Sequence, residues 1–69
     1  MAFGIVRSFD ARKGAGYISP DSGGVDVFVH ISAVEQAGLS GLSAGERVSY
    51  DLQTDRARSR SYAVNLALA

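Results

Sequence analysis

The 69-residue chain has no cysteine, no tryptophan and a single proline, and its seven Lys and Arg are cancelled by seven Asp and Glu. Without cysteine there is no disulfide, and one histidine with no cluster of ligating side chains leaves no metal site to staple a small fold. No apolar run approaches the ~18 residues of a membrane span. Met1-Ala2-Phe3-Gly4-Ile5-Val6 is too short for a signal segment and has no basic stretch before it. A soluble, cytoplasmic chain without cofactors is expected. The length fits one domain, residues 1–69, with a modest core. With no staple, closing a barrel is the remaining way to protect strand edges. Internal repeats and low-complexity tracts are also absent from the sequence.

Zero net charge argues mildly against a nucleic-acid partner, but the charge is unevenly placed. Residues 1–20 carry Arg7, Arg12 and Lys13 against Asp10 (+2); residues 21–55 carry six acids against Arg47 (−5); residues 56–69 add Arg56, Arg58 and Arg60 (+3). Two roles fit the late arginines: a basic strip beside a ligand face, or ordinary solvated side chains of a loop and strand edge.

Alternation and turn residues divide the chain. Gly4 to Asp10 reads as a strand, followed by the turn Asp10-Ala11-Arg12-Lys13-Gly14. Ala15 to Ser19 is a second strand, ended by Pro20-Asp21-Ser22-Gly23-Gly24, the strongest turn signal present. Asp26 to Ile31 is the third. Ser32-Ala33-Val34-Glu35 has capping-box spacing, which predicts a single helical turn that Gly38 ends. After a long connection to Gly45, Glu46 to Thr54 alternates Val48, Tyr50 and Leu52 inward, and Ser61 to Ala67 supplies the last strand.

On the second and third strands, alternation puts Tyr17, Phe28 and His30 on one face, with Ile18, Val27 and Val29 behind them. Burying Phe28 and His30 instead would turn the valines outward. Exposed rings serve no structural purpose on a polar surface, whereas each unpaired base offers a π-face to stack on them. Lys13 and Arg7 stand beside this wall as phosphate contacts. Phe9 fits either the wall or the rim of the core. Gly14 and Gly16 fit either turn geometry or a surface kept low for bases to lie on.

Gly4-Ile5-Val6-Arg7, Phe9, Lys13-Gly14-x-Gly16-Tyr17-Ile18, Asp26-Val27-Phe28-Val29-His30-x-Ser32-Ala33, Leu42-x-x-Gly45-x-x-Val48 and Ala63-x-Asn65 resemble the bacterial cold-shock proteins, in register nearly end to end. The two ring-bearing segments match that family's paired ribonucleoprotein motifs, with about one extra residue in the turn after Pro20. The resemblance implies an all-β fold, a five-stranded antiparallel barrel of the oligonucleotide-binding type with one short helical turn. It also implies single-stranded RNA or DNA as ligand, with Arg7, Phe9, Lys13, Tyr17, Asp26, Phe28 and His30 as the nucleic-acid-binding residues. For Asp26 it suggests a hydrogen bond from a base edge; turn capping is the alternative.

The departures fall on the stacking face. Where the family carries a tryptophan, an aromatic, a phenylalanine and another aromatic, this chain has Ser8, Ala15, Ile31 and Leu39, and Asp10 replaces an amide. At the low end of roughly 1–3 kcal/mol per base stack, the missing rings cost on the order of 3 kcal/mol, about two decades in affinity. Weak binding is expected, as an RNA chaperone or a regulator of transcription or translation.

Other function classes fare worse. Asp26, His30 and Ser32 are the elements of a hydrolase triad, but on one strand His30 and Ser32 would stand roughly 6.6 Å apart and Asp26 and His30 roughly 13 Å, too far for a relay. Lys13-Gly14-Ala15-Gly16 is no nucleotide loop, because the lysine precedes the glycines and no helix pattern follows. An enzyme is not expected. The alternative is a degenerate barrel that binds protein through Leu39, Ile31 and Leu66-Ala67-Leu68. The expected partner is single-stranded RNA or DNA, with no membrane and no small-molecule substrate. A monomer is expected, with a strand-exchanged dimer as the alternative.

Overall fold

A computed structural model describes residues 2–69. Strand β1 spans Ala2–Asp10, β2 Ala15–Pro20, β3 Val27–His30, helix α1 Ile31–Gln36, β4 Arg47–Asp55 and β5 Arg60–Leu68. The strands close into a barrel in the order β1-β2-β3-β5-β4. Directions cannot alternate all the way round a ring with an odd number of strands. Here β3 and β5 run parallel, joined by the register pair Phe28↔Tyr62, and the other four seams are antiparallel. β1 begins two residues before the expected Gly4 because β4 offers it a partner there, Ala2↔Tyr50. No helix among the described residues is long and apolar enough to cross a membrane.

Val6, Ile18, Val27, Val29, Val34, Val48, Tyr50, Ala63 and Leu66 form the core. Two register shifts decide which side chains reach it. In β1 the pairing passes from Val6↔Ile18 to Ser8↔Tyr17, leaving Arg7 as an extra residue. Inward positions are therefore even before Arg7 (Gly4, Val6) and odd after it (Phe9). Between β4 and β5 the register passes from Ser49↔Ala67 to Asp51↔Val64, so β5 carries the extra residue. Asn65 adopts the left-handed conformation there, φ 52°, and its Nδ2 donates to Asp51 Oδ2 at 3.0 Å.

Leu52 corrects the expected inward series of β4: Val48 and Tyr50 are buried, but Leu52 is 56% exposed. It pairs with the buried Ala63. Yet β1, the other neighbour of β4, pairs with it only from Arg47 to Tyr50 among the described residues, so Leu52 lies beyond that seam. Ile31 and Leu39 pack against the core and Leu66 is buried within it. Most of the contact surface required by a protein-binding reading is thus used internally, and of its residues Leu68 is the large side chain left exposed.

Candidate nucleic-acid interface

Cross-strand pairing assembles the ring wall. Tyr17 pairs with Phe28 and Ala15 with His30, so their side chains leave the same outer face, opposite Gly16, Ile18, Val27 and Val29. The Tyr17 and Phe28 rings meet edge to face, centroids 5.9 Å apart at 71°, and Phe28 and His30 lie 6.5 Å apart, tilted by 41°. Register extends this row to Ser8 across β1 and to Tyr62 across β5, and extends the next to Asp10. Ser8 and Ala15 therefore sit on the ring face itself, leaving it open where larger rings would fit. Arg60, left open between a basic strip and an ordinary solvated side chain, comes up against the wall, and Tyr62 escaped the sequence reading. The Arg60 guanidinium lies 5.1 Å from the Phe28 ring centroid, a cation–π contact. Tyr62 was available from its alternation with buried Ala63, but its adjacency to Phe28 depends on how the barrel closes.

His30 is fixed by a role that Ser32 was expected to fill. The chain leaves His30 extended, φ −98° and ψ 152°, and enters α1 at Ile31, whose N–H donates to Gly14 O at 2.8 Å. The His30 ring thereby becomes the N-cap: Nδ1 accepts from the Ser32 backbone N–H at 3.1 Å and lies 3.0 Å from Ser32 Oγ. The Ser32–Glu35 capping box is not formed, and the helix runs Ile31–Gln36. An accepting Nδ1 leaves the proton of the neutral ring on Nε2. At the far end Gly38 closes the helix as expected, at φ 79° with its N–H on Glu35 O at 2.9 Å.

The early turn also corrects the reason given against a triad. His30 and Ser32 are within contact distance, since the strand ends between them. The third member is elsewhere: Asp26 Oδ2 accepts from Arg7 Nη1 at 2.9 Å. This pair brings together two expected ligand contacts and sets each against the other. Arg7, the bulged residue of β1, has its charge matched by a carboxylate before any phosphate arrives. Arg47 pairs with Asp21, and Arg58 lies 3.9 Å from Asp55. Among the described residues Arg12, Lys13, Arg56 and Arg60 make no ion pair.

Phe9 lies off the wall. The bulge at Arg7 turns it inward as the partner of Gly16, half-buried and packed against the core. Gly16 is required on that same inner side, where a Cβ would stand 2.7 Å from Phe9 Cδ1. Its small size serves the β1–β2 approach and does not flatten the ligand surface. Gly14 turns the chain at φ 68°, and a Cβ there would meet Ile31 Cγ2 at 2.9 Å.

Beside the wall, at the open end of the barrel, lies a cleft of about 740 Å³ whose lining includes Phe3, Tyr17, Val25, Phe28, Tyr50, Leu52 and Arg60. Arg47 braces it, with its guanidinium 5.4 Å from the Phe3 ring centroid and bonded to Asp21 in the loop after β2. Burial, and then the negative charge of Asp21, push the Tyr50 phenol above its ordinary value.

The model of the "Cold-shock" DNA-binding domain family matches residues 2–68. The "Probable cold shock protein y4cH" of Sinorhizobium fredii is 54% identical over 66 residues, 96% of both chains. Cold shock protein CspA of Rhizobium meliloti is 48% identical over 69 residues, the whole of both chains. A cold shock-like protein CspA of Rickettsia bellii is 45% identical over 65 residues, 94% of this chain and 90% of its own.

Proposed function

The chain belongs to the cold-shock domain family, and we propose that it binds single-stranded RNA or DNA with weak sequence preference by stacking bases on Tyr17, Phe28 and His30. Its role is that of an RNA chaperone or a regulator of transcription or translation, exercised as a monomeric, single-domain, cytoplasmic protein without catalytic activity. The observation that carries this function is the outward row of rings, held by cross-strand register and, at His30, by a helix cap.

The mechanism is an exchange of stacking partners. A step of duplex stacking is worth about 1.4 kcal/mol, and a base on an aromatic side chain about 1–3 kcal/mol. Trapping a few unstacked bases on the rings therefore offsets the melting of a few steps, and a held strand cannot refold. Lys13, Arg56 and Arg60, which make no ion pair among the described residues, approach the phosphates, while the Nε2–H of His30 donates to a base or to the backbone.

Titrating labelled oligothymidine at several salt concentrations tests this. Three phosphate contacts at roughly −0.7 each give a slope of log K against log salt near −2. Asp26→Asn, which releases Arg7, steepens it by about 0.7. An absence of saturable binding at low salt, or a slope near zero, counts against the mechanism.

A further inference from the structure

We infer that the cleft at the open end of the barrel is a base-binding subsite that continues the ring wall, so that the strand runs from His30 past Phe28 into the space between the 21–26 loop and the β4–β5 hairpin. This rests on the single-strand reading above.

Three observations point to an occupant of this chemistry. The first is continuity: Tyr17 and Phe28 belong to the wall and also line the cleft. A base leaving the Phe28 stack has the cleft as its next surface. The second is apolar surface that the fold does not use. Val25 is 88% exposed, Leu52 56% and Phe3 42%, all around one opening. Such clustering marks a contact site, whereas scattered exposed apolar residues do not. A volume of about 740 Å³ falls within the roughly 300–1,000 Å³ of ordinary ligand clefts.

The third observation is charge. Of the two carboxylates on the cleft, Asp21 is paired with Arg47 and Asp26 with Arg7. Neither confronts an incoming phosphate as a bare charge, and both keep oxygens able to accept from a base amino group. Arg60, without an ion pair among the described residues, stands at the boundary between wall and cleft. A guanidinium there meets the phosphate that joins the base on Phe28 to the base in the cleft. Phe3, Leu52 and Val25 then supply part of the contact surface absent at Ser8 and Ala15.

The test compares affinity across oligonucleotide length, within the ~4–16 nucleotides an oligonucleotide-binding barrel covers. Val25→Ser with Leu52→Ser alters two exposed side chains and leaves the wall intact. Fluorescence anisotropy with labelled oligothymidines of about four and about eight nucleotides reads both parts. The expected result is a roughly ten-fold loss for the longer strand and no change for the shorter one. Chemical-shift mapping on the wild-type protein supplies a readout independent of any variant: amides of Val25, Leu52 and Arg60 move with the longer strand and stay in place with the shorter. Unchanged affinity of the double variant for the longer strand, or an unmoved cleft, overturns the subsite. Phe28→Ala separates the two levels. If it weakens both strands while the double variant weakens neither, the wall binds and the cleft does not. If it also weakens neither, the single-strand reading falls together with the subsite.

Discussion

Phe28 and Val29 are neighbours on a four-residue strand and face opposite ways, so replacing each by alanine should give opposite signatures. Val29 is fully buried in the core. Removing its two methyl groups costs about 1.6 kcal/mol of transfer free energy, and the cavity left behind raises that to about 2–3 kcal/mol. In a domain of this size each kcal/mol moves Tm by about 4–8 °C, so Val29→Ala melts on the order of 8–24 °C lower. Below the melting transition of the variant its affinity should equal that of the wild type, since Val29 does not face the ligand. Phe28 is half-buried, touching the Tyr17 edge and the Arg60 guanidinium. Losing those contacts costs about 1–2 kcal/mol of stability, but losing a base stack costs about 1–3 kcal/mol of binding, roughly 5- to 150-fold in Kd. Circular-dichroism melts and anisotropy titrations with labelled oligothymidine measure both quantities for both variants. If Phe28→Ala binds within about two-fold of wild type and melts as low as Val29→Ala, the two faces of β3 have been assigned the wrong way round.

Ser8→Trp combined with Ala15→Phe restores rings at positions that register with Tyr17 and His30, and should tighten oligothymidine binding by about 2 kcal/mol, with quenching of the new indole as the signal; a folded double variant that binds no tighter shows that the face is no stacking platform. Because burial and Asp21 raise the Tyr50 phenol, its contribution to stability is whole below the unfolded value near ~10 and is lost as pH rises through it towards the raised folded value. The stability of wild type relative to Tyr50→Phe, from urea unfolding, therefore falls as pH rises past about 10, and a flat difference refutes this.

The faces of β2 and β3 were legible because period-two alternation runs uninterrupted through Tyr17-Ile18 and Val27-Phe28-Val29-His30. Where a bulge intervenes, the same rule misleads. Phe9 was open between wall and core until the extra residue at Arg7 turned it inward. The sequence holds a trace of this: Val6 and Phe9 are apolar and three apart, a spacing that an unbroken strand cannot bury on one side. Ala63 and Leu66 repeat the spacing around Asn65, the residue that takes up the positive φ. Other features depend on distant segments. The pairing of Arg7 with Asp26 joins residues nineteen apart. Leu52 is exposed where the pairing of β4 with β1, a distant strand, has ended at Tyr50 among the described residues. His30 as a cap was hidden because imidazole lies outside the usual set of N-cap side chains, and because the strand ends one residue earlier than the pattern Asp26 to Ile31 implied.

These shifts place the recognition surface unevenly on the barrel. On the β1 side Ser8 and Ala15 offer no rings, and Arg7 is neutralised by Asp26. On the β3–β5 side stand Phe28, Tyr62, the apolar cleft and Arg60, which makes no ion pair among the described residues. On the proposed mechanism, affinity depends more on contacts with bases than on phosphate neutralisation, in keeping with a chain of zero net charge. With a salt slope near −2, raising salt from about 50 to about 200 mM lowers affinity by roughly 16-fold, against roughly 10³–10⁵ for a protein that makes six to ten phosphate contacts. A binder of this kind holds unpaired strands across a wide range of ionic strength and has little attraction for duplex, whose bases are hidden and whose phosphates are its main handle. On the proposed mechanism, discrimination against duplex comes from the rings, which need an open base face, while a slope of about −2 limits the phosphate contribution to a few cations.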